Sequence, residues 1–257
     1  MKPSDKIIES LAAELHPDAR ILFITGAGLS ADSGLPTYRG IGGLYEREMT
    51  EEGVPIEEAL SGAMFRKRPD LSWKYLAEIG RVAMAAEPNR GHHVIAEMES
   101  HFKAVIILTQ NIDGYHRKAG SKNVIDIHGD MHRLICTRCS FACSTDDFEQ
   151  MEIPPHCPTC GAFLRPDVVL FGEMLDAEKL DRLNTELTTG FDFVFSVGTS
   201  SLFPYIAFPV VQAHQLGWTT VEINPDVTQV SHLADYRLQS GAAETLDAIW
   251  MTYQSRC

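Results

Sequence analysis

Two cysteine knuckles, Cys136-x-x-Cys139 and Cys157-x-x-Cys160, stand 17 residues apart and constrain this chain more than any other feature of its sequence. Such spacing brings four thiolates to one tetrahedral centre, the pattern of a closed structural zinc ribbon. All four positions are cysteine and none is left open for water, so the metal is expected to hold the fold rather than to do chemistry. Whatever surrounds the ribbon must therefore accommodate a small, self-contained unit. Five of the six cysteines fall within 25 residues. Met1 to Leu15 carries Asp5, Glu9 and Glu14 and lacks the apolar core and small-residue cleavage site of a signal peptide. A cytoplasmic chain with a metal site, rather than disulfides, is the expectation. Cys143 and Cys257 are expected to be free thiols without a role.

The bulk composition excludes several function classes. At 257 residues the chain can bury a sizeable core, as one large domain with a satellite or as two domains. Its formal charge of -13 argues against a nucleic-acid surface, which needs clustered Lys and Arg, and suits a basic peptide partner instead. Apolar runs such as Phe191 to Val197, interrupted by Asp192, are far too short to span a membrane.

Ser4 can cap a first helix with apolar positions Ile7, Ile8, Leu11, Ala12 and Leu15, stopped by Pro17. Ile21 to Thr25 then reads as a strand running into Gly26-Ala27-Gly28-Leu29-Ser30-Ala31. The pattern Gly26-x-Gly28-x-x-Ala31 matches the relaxed dinucleotide fingerprint, in which glycines let main-chain N–H groups approach a pyrophosphate. That fold usually has a second strand ending in an acidic residue about 20 positions on. Here Leu44 to Glu48 and Pro55 to Ala63 read as loop and helix, so an adenosine half would have to be held elsewhere. Ser33 to Gly40 is a loop of turn formers, able to close over a ligand with Arg39 as a charged donor, or simply exposed. Pro55 to Ser100 is helical in pattern, with Leu71, Trp73, Tyr75, Leu76, Ile79, His92, Ile95, Ala96 and Met98 as core positions.

Val105 to Leu108 ends in Gln110-Asn111-Ile112-Asp113-Gly114, and Val124 to Ile127 ends in His128-Gly129. Both read as buried parallel strands that release polar groups at their carboxyl ends, where open α/β sheets form their ligand crevice. Taken singly, either is an ordinary polar turn. Arg165 to Glu173 is an extended segment, and a strand-like edge beside a crevice can pair with a peptide. Leu180 to Leu187 is a short helix. Phe191 to Val197 ends in Gly198-Thr199-Ser200-Ser201, Thr219 to Ile223 ends in Asn224-Pro225-Asp226, and Ala242 to Tyr253 forms the closing helix. Five strand ends of this kind, alternating with helices, predict an α/β chain built on a doubly wound, Rossmann-like parallel sheet.

These residues resemble the sirtuins, the NAD-dependent protein-lysine deacylases, most closely the compact bacterial members. The likeness rests on GAGLSADSGLPTYRG at 26 to 40, TQNIDGYH at 109 to 116, IHG at 127 to 129, the paired knuckles, RPDVVLFGE at 165 to 173, GTSS at 198 to 201 and EINPD at 222 to 226. The resemblance implies a large NAD-binding domain over 1 to 132 and 165 to 257, a helical module at about 43 to 90, and a zinc ribbon over 133 to 164. It sets the pyrophosphate against Gly26, Ala27 and Gly28, with Tyr38 and Arg39 on a loop over the cofactor. Gln110, Asn111, Ile112 and Asp113 would surround the nicotinamide ribose and carboxamide. Gly198, Thr199 and Ser200 would take the phosphate and ribose side; Asn224, Pro225 and Asp226 would meet the adenosine ribose, and Ala242 the adenine.

The implied reaction is attack of an acyl-lysine carbonyl oxygen on the ribose carbon as nicotinamide leaves, with Asn111 among the catalytic groups and His128 as general base on a ribose hydroxyl. The acyl group ends on ADP-ribose. His116 and His132 are expected to be structural or surface residues. The acyl-lysine protein would lie between ribbon and sheet, against Val168, Val169, Phe171, Gly172 and Glu173, with Ile112 and Phe171 lining the lysine tunnel. Members that take succinyl or malonyl groups carry a Tyr-x-x-Arg pair where this chain has Leu76 and Ile79; Tyr75 and Arg81 sit at the wrong spacing. Acetyl or longer uncharged chains are therefore expected, on a monomeric enzyme with neither nucleic-acid nor membrane partners. A mono-ADP-ribosyltransferase using the same first step, and a non-catalytic NAD- and zinc-binding adaptor, are the competing readings.

Overall fold

The computed structural model describes residues 3–35, 49–145 and 147–256. The expectations for Tyr38, Arg39, Leu44 to Glu48 and Cys257 fall outside them. Chain order begins with α1 (Pro3–Glu14), β1 (Arg20–Thr25) and α2 (Ala27–Ala31). Four helices follow: α3 (Ile56–Ala59), α4 (Gly62–Lys67), α5 (Pro69–Ala85) and α6 (Arg90–His101). Then come β2 (Ala104–Thr109), α7 (Tyr115–Lys118), β3 (Val124–Asp126), β4 (Gly129–Cys136), β5 (Ala142–Ser144) and β6 (Leu164–Val168). The last part runs α8 (Ala177–Thr189), β7 (Phe193–Val197), α9 (Pro204–Leu216), β8 (Thr219–Ile223), β9 (Tyr236–Leu238) and α10 (Ala242–Gln254).

Six strands form one sheet in the order β3-β2-β1-β7-β8-β9, and every neighbouring pair in it is parallel. The order reverses beside β1, so the crevice expected at a topological switch point lies where β1 and β7 end. This is the doubly wound sheet anticipated from the alternating pattern. The strands read as unbroken apolar runs because both faces are covered. Ile21 and Phe23 join Leu11, Val94, Ile95 and Trp250 on one side. Leu22 and Ile24 join Leu183, Leu187, Ile206 and Val210 on the other.

A third cluster unites α3, α4 and α5 with the antiparallel sheet β5-β4-β6. Trp73 is fully buried there, and its indole N–H donates to the Leu164 carbonyl at 2.8 Å. Helical module and ribbon thus share one core, and β4 and β6 run across positions 132/133 and 164/165, where the resemblance set the ribbon's limits. At the root of β4, Gly129 has φ +91°, and a Cβ there would lie 1.9 Å from the Asp167 carbonyl oxygen. Only glycine can bring β6 this close to the segment carrying His128.

Some elements gave little warning. In α9, Ile206, Val210 and Ala213 are buried while Phe208 and Leu216 are more than half exposed, so apolar residues occupy both faces and no clean period survives. β9 has three residues, too few for an alternation. Among the described residues no helix is long and apolar enough to cross a membrane.

His92 and His116, fully or almost fully buried, pack 5.1 Å apart between α6 and α7. His92 Nδ1 accepts from the Asn89 N–H, and His116 Nε2 meets Thr25 Oγ1 at 2.9 Å. Burial pushes both imidazoles down, His92 to about 3. Below the ordinary value of 6.5 the unfolded chain binds a proton there and the native chain does not, so stability is full above pH 6.5 and is lost as pH falls towards 3. Urea melts at pH 7 and pH 5 should differ, with His92 alone accounting for about 2 kcal/mol. His92→Gln, which keeps an acceptor, should shrink the difference, and an unchanged difference would contradict this.

Candidate active site

The site forms where the carboxyl ends of β1, β2, β3, β7 and β8 meet. Turn contacts fasten these ends together. Gly26 N–H donates to Val197 O at 3.1 Å, Gly28 N–H to Gly198 O at 2.8 Å, and Gly198 N–H to Ile223 O at 2.9 Å. A Cβ on Gly28 would fall 2.7 Å from Gly198 Cα, and one on Gly198, at φ +59°, would fall 2.4 Å from the Leu29 nitrogen. The two glycine turns touch backbone to backbone. Gly26 is the N-cap of α2, and α2 begins directly at the end of β1.

Side chains then tie the turns into one network. Asn111 Nδ2 donates to Gly26 O and to Ser30 Oγ, each at 3.0 Å. Ser30 Oγ donates to Asp113 Oδ2 at 2.6 Å, and Asp113 Oδ1 accepts the Tyr115 N–H at 3.0 Å. Asn111, Asp113 and Ser30 are all buried. Burial pushes the Asp113 carboxyl up, while the Ser30 hydroxyl and Tyr115 N–H favour its charged form. Gln110 Nε2 donates to Thr199 Oγ1 at 2.7 Å, and Asn224 Nδ2 to Thr199 O at 3.0 Å. Asn224 Oδ1 in turn accepts the Asp226 N–H at 3.0 Å. Pro225 lies in that turn, and buried Ala242 opens α10 next to Gly241. Ile112 is half-buried against the third cluster.

His128 follows β3. Its Nδ1 lies 3.0 Å from Gln110 O. A carbonyl can only accept, so Nδ1 carries the proton and Nε2 is the basic nitrogen. Nε2 lies 2.7 Å from Tyr205 Oη, and the edge of Phe203 packs against the ring. Burial lowers the imidazole's proton affinity, Gln110 O raises it, and Lys179, paired with Asp126 at 2.9 Å, lowers it. His128 is therefore neutral at pH 7. His116, by contrast, is buried against Thr25 and His92, and His132 Nε2 lies 3.0 Å from Asp113 O.

The donor set suits a dinucleotide. The Gly26 and Gly28 N–H groups are taken by Val197 O and Gly198 O, so a phosphate would rest on the remaining N–H groups at the start of α2, while Asn224, Gln110 and the hydroxyls of Thr199 and Ser200 suit ribose. Ser201, at φ +54° in the same turn, has a buried Oγ with no partner among the described residues, which fits a bound polar group. Sequence reasoning named every strand end here. It missed Ser30 as the bridge between Asn111 and Asp113, and it missed Tyr205 and Phe203; Pro204, a helix-starting proline just ahead of Tyr205, was the available signal.

The segment after β6 lies beside His128. Val169 N–H donates to His128 O at 2.8 Å, and Phe171 N–H to Leu60 O at 3.0 Å. Glu173 holds Arg165 through both carboxylate oxygens at 2.7 and 2.8 Å and accepts the Leu170 N–H. Val168 opposes Gly129 in the β4–β6 ladder, and its C=O accepts from the Arg165 guanidinium at 2.6 Å. Phe171 is 40% exposed and Gly172 is exposed.

At the ribbon, the Sγ atoms of Cys136, Cys139, Cys157 and Cys160 lie within 4.8 Å of one another. Cys136 and Cys160 are 3.5 Å apart, and Cys139 and Cys157 are 3.6 Å apart. A tetrahedral zinc with bonds of about 2.3 Å sets its sulfurs about 3.8 Å apart, so the cluster fits that ion. Cys143 lies in β5, outside the cluster.

Comparison with known proteins gives a consistent picture. The Sir2 family model matches residues 26–203. NAD-dependent protein deacylase 2 of Pseudomonas aeruginosa is 49% identical over 245 residues, covering 94% of this chain and 95% of its own. NAD-dependent protein deacylase 1 of Archaeoglobus fulgidus is 35% identical, with 95% and 96% covered. Among solved structures, a Sir2 homologue complexed with NAD superposes with a TM-score of 0.85 at 34% identity, covering 99% of this chain and 95% of that one. A mutant Sir2 homologue complexed with ADP ribose gives 0.86 at 33% identity, with 100% and 98% covered.

Metal analysis of the purified chain should find one zinc. Stripping it with a chelator should lower Tm by about 5 °C or more, because the ribbon and the α5 core are joined through Trp73. A metal-free chain with unchanged melting would contradict this.

Proposed function

Because the chain belongs to the Sir2 family, we infer that it is an NAD-dependent protein-lysine deacylase in which His128 is the general base. The observation that carries this role is the Nδ1 bond to Gln110 O, which leaves Nε2 as the basic nitrogen. Bound NAD supplies an electrophilic ribose carbon, a leaving nicotinamide and the hydroxyl that finally receives the acyl group. We assign Gly26, Ala27 and Gly28 to the pyrophosphate, and Tyr38 and Arg39, outside the described residues, to the cofactor as well. Gln110, Asn111, Ile112 and Asp113 would hold the nicotinamide end. Gly198, Thr199 and Ser200 would hold the phosphate and ribose side, with Asn224, Pro225, Asp226 and Ala242 at the adenosine end.

With Asn111 and Asp113 bonded in advance, little reorganisation is needed when the reactants meet. His128 Nε2 then takes a proton from the ribose hydroxyl, a task for the neutral ring. Its burial extends the neutral form below pH 6.5, so activity should persist to mildly acidic pH and fall only beyond it. The four-thiolate centre has no open ligand position and stays structural.

The substrate is an acyl-lysine protein. We place its main chain along the segment from Val168 and Val169 to Gly172 and Glu173, with Ile112 and Phe171 against the lysine stem. The acidic chain favours a basic peptide. Leu76 and Ile79 are buried and apolar. Tyr75 Oη already donates to Glu52 at 2.5 Å and Arg81 lies 3.6 Å from Glu149, so neither is committed to a distal carboxylate. Acetyl or a longer uncharged acyl group is the reading this supports. The cytoplasm, where thiolate ligands stay reduced, is its compartment, and a single chain its working unit.

An acyl-peptide panel incubated with NAD tests the assignment. Deacetylation should exceed desuccinylation by about tenfold or more, and equal rates would contradict the reading of the apolar Leu76 and Ile79. His128→Ala should cut acyl transfer by about 100-fold or more while nicotinamide exchange, which precedes the base's step, continues. Transfer at the wild-type rate would remove His128 from its role.

A further inference from the structure

The basic nitrogen of His128 has a partner of its own within the chain. Tyr205 Oη lies 2.7 Å from Nε2, and since Nδ1 is bound to the Gln110 carbonyl, the tyrosine must donate and the imidazole accept. Several features fix the tyrosine there. Pro204 starts α9 at a defined φ, Ile206 two residues on is fully buried, and the Ile206 and Ala207 N–H groups both bond to Phe203 O. Tyr205 stacks on Phe203 at 5.5 Å, and both rings meet the imidazole edge-on at 5.8 Å. Lys179 is a charged group that acts on His128, and it is paired with Asp126.

We propose that Tyr205 is a positioning residue for the general base: with the Gln110 carbonyl it pins the imidazole from both nitrogens and holds the Nε2 lone pair until the ribose hydroxyl replaces it. The inference rests on the reading of His128 as base. The exchange keeps atoms in balance, because one O–H donor to Nε2 replaces another. A ring held at one nitrogen only can swing about its Cβ bond, whereas two anchors keep Nε2 aimed at the place where the proton must arrive.

Tyr205→Phe keeps the stack on Phe203 and removes only the hydroxyl. In 15N NMR of the NAD-free protein, wild-type His128 should be protonated at Nδ1 with Nε2 hydrogen-bonded, and the variant should move the Nε2 resonance towards that of an unbonded imidazole nitrogen. In turnover, acyl transfer should fall by about 3–10-fold relative to nicotinamide exchange in the same variant. Identical Nε2 resonances, an Nε2-protonated ring in the wild type, or transfer and exchange changing in step would overturn the proposal. Acyl transfer surviving in His128→Ala would instead remove the base assignment, and the NMR result would still decide the hydrogen bond.

Discussion

The backbone seam between the turns after β1 and β7 is the constraint on which the site depends. Gly28 and Gly198 meet with no room for a Cβ on either, and the main-chain bonds Gly26–Val197, Gly28–Gly198 and Gly198–Ile223 continue the parallel ladder beyond the strands. This seam lets Asn111 reach Gly26 O from β2 and lets Thr199 receive both Gln110 and Asn224. A side chain at either glycine would separate the turns and break the network at its centre.

The same sheet gives its two polar ends different environments. The turn after β2 is bonded throughout: Asn111, Ser30 and Asp113 have partners before any ligand arrives, so their geometry is already set. The turn after β3 carries a neutral imidazole in a half-apolar setting of Phe203 and Tyr205. A preorganised amide and carboxylate suit the step in which nicotinamide leaves, and a neutral base suits the proton transfer that follows. The ribbon enters this arrangement indirectly. It anchors β4 and β6, and the Gly129 contact with Asp167 brings the end of β6 against His128.

Much of this was legible in the sequence because the strands are buried on both faces. Ile21 to Thr25 and Val105 to Leu108 read as unbroken apolar runs, so their polar ends stood out, and four cysteines at knuckle spacing admitted one simple arrangement. The helix carrying Tyr205 was not legible. Its apolar residues lie on both faces, Phe208 exposed and Ile206 buried, which erases the period that marks a helix. Ser30 was visible as a turn residue, but its bond to Asp113, 83 positions away, is a product of strand order. The shared core of α5 and the ribbon was hidden for the same reason, since Trp73 meets Leu164 across 91 positions of chain.

All five strand ends are read here as serving one reaction, the transfer of an acyl group from lysine to the ADP-ribose part of NAD. Incubation with acetyl-lysine peptide and NAD labelled in its adenine, followed by separation of protein from small molecules and mass spectrometry, tests this most directly. The account predicts acetyl-ADP-ribose, nicotinamide and free lysine in equal amounts, with the label leaving the protein. Label retained on protein, with the peptide still acetylated, would contradict it and make the chain an ADP-ribosyltransferase.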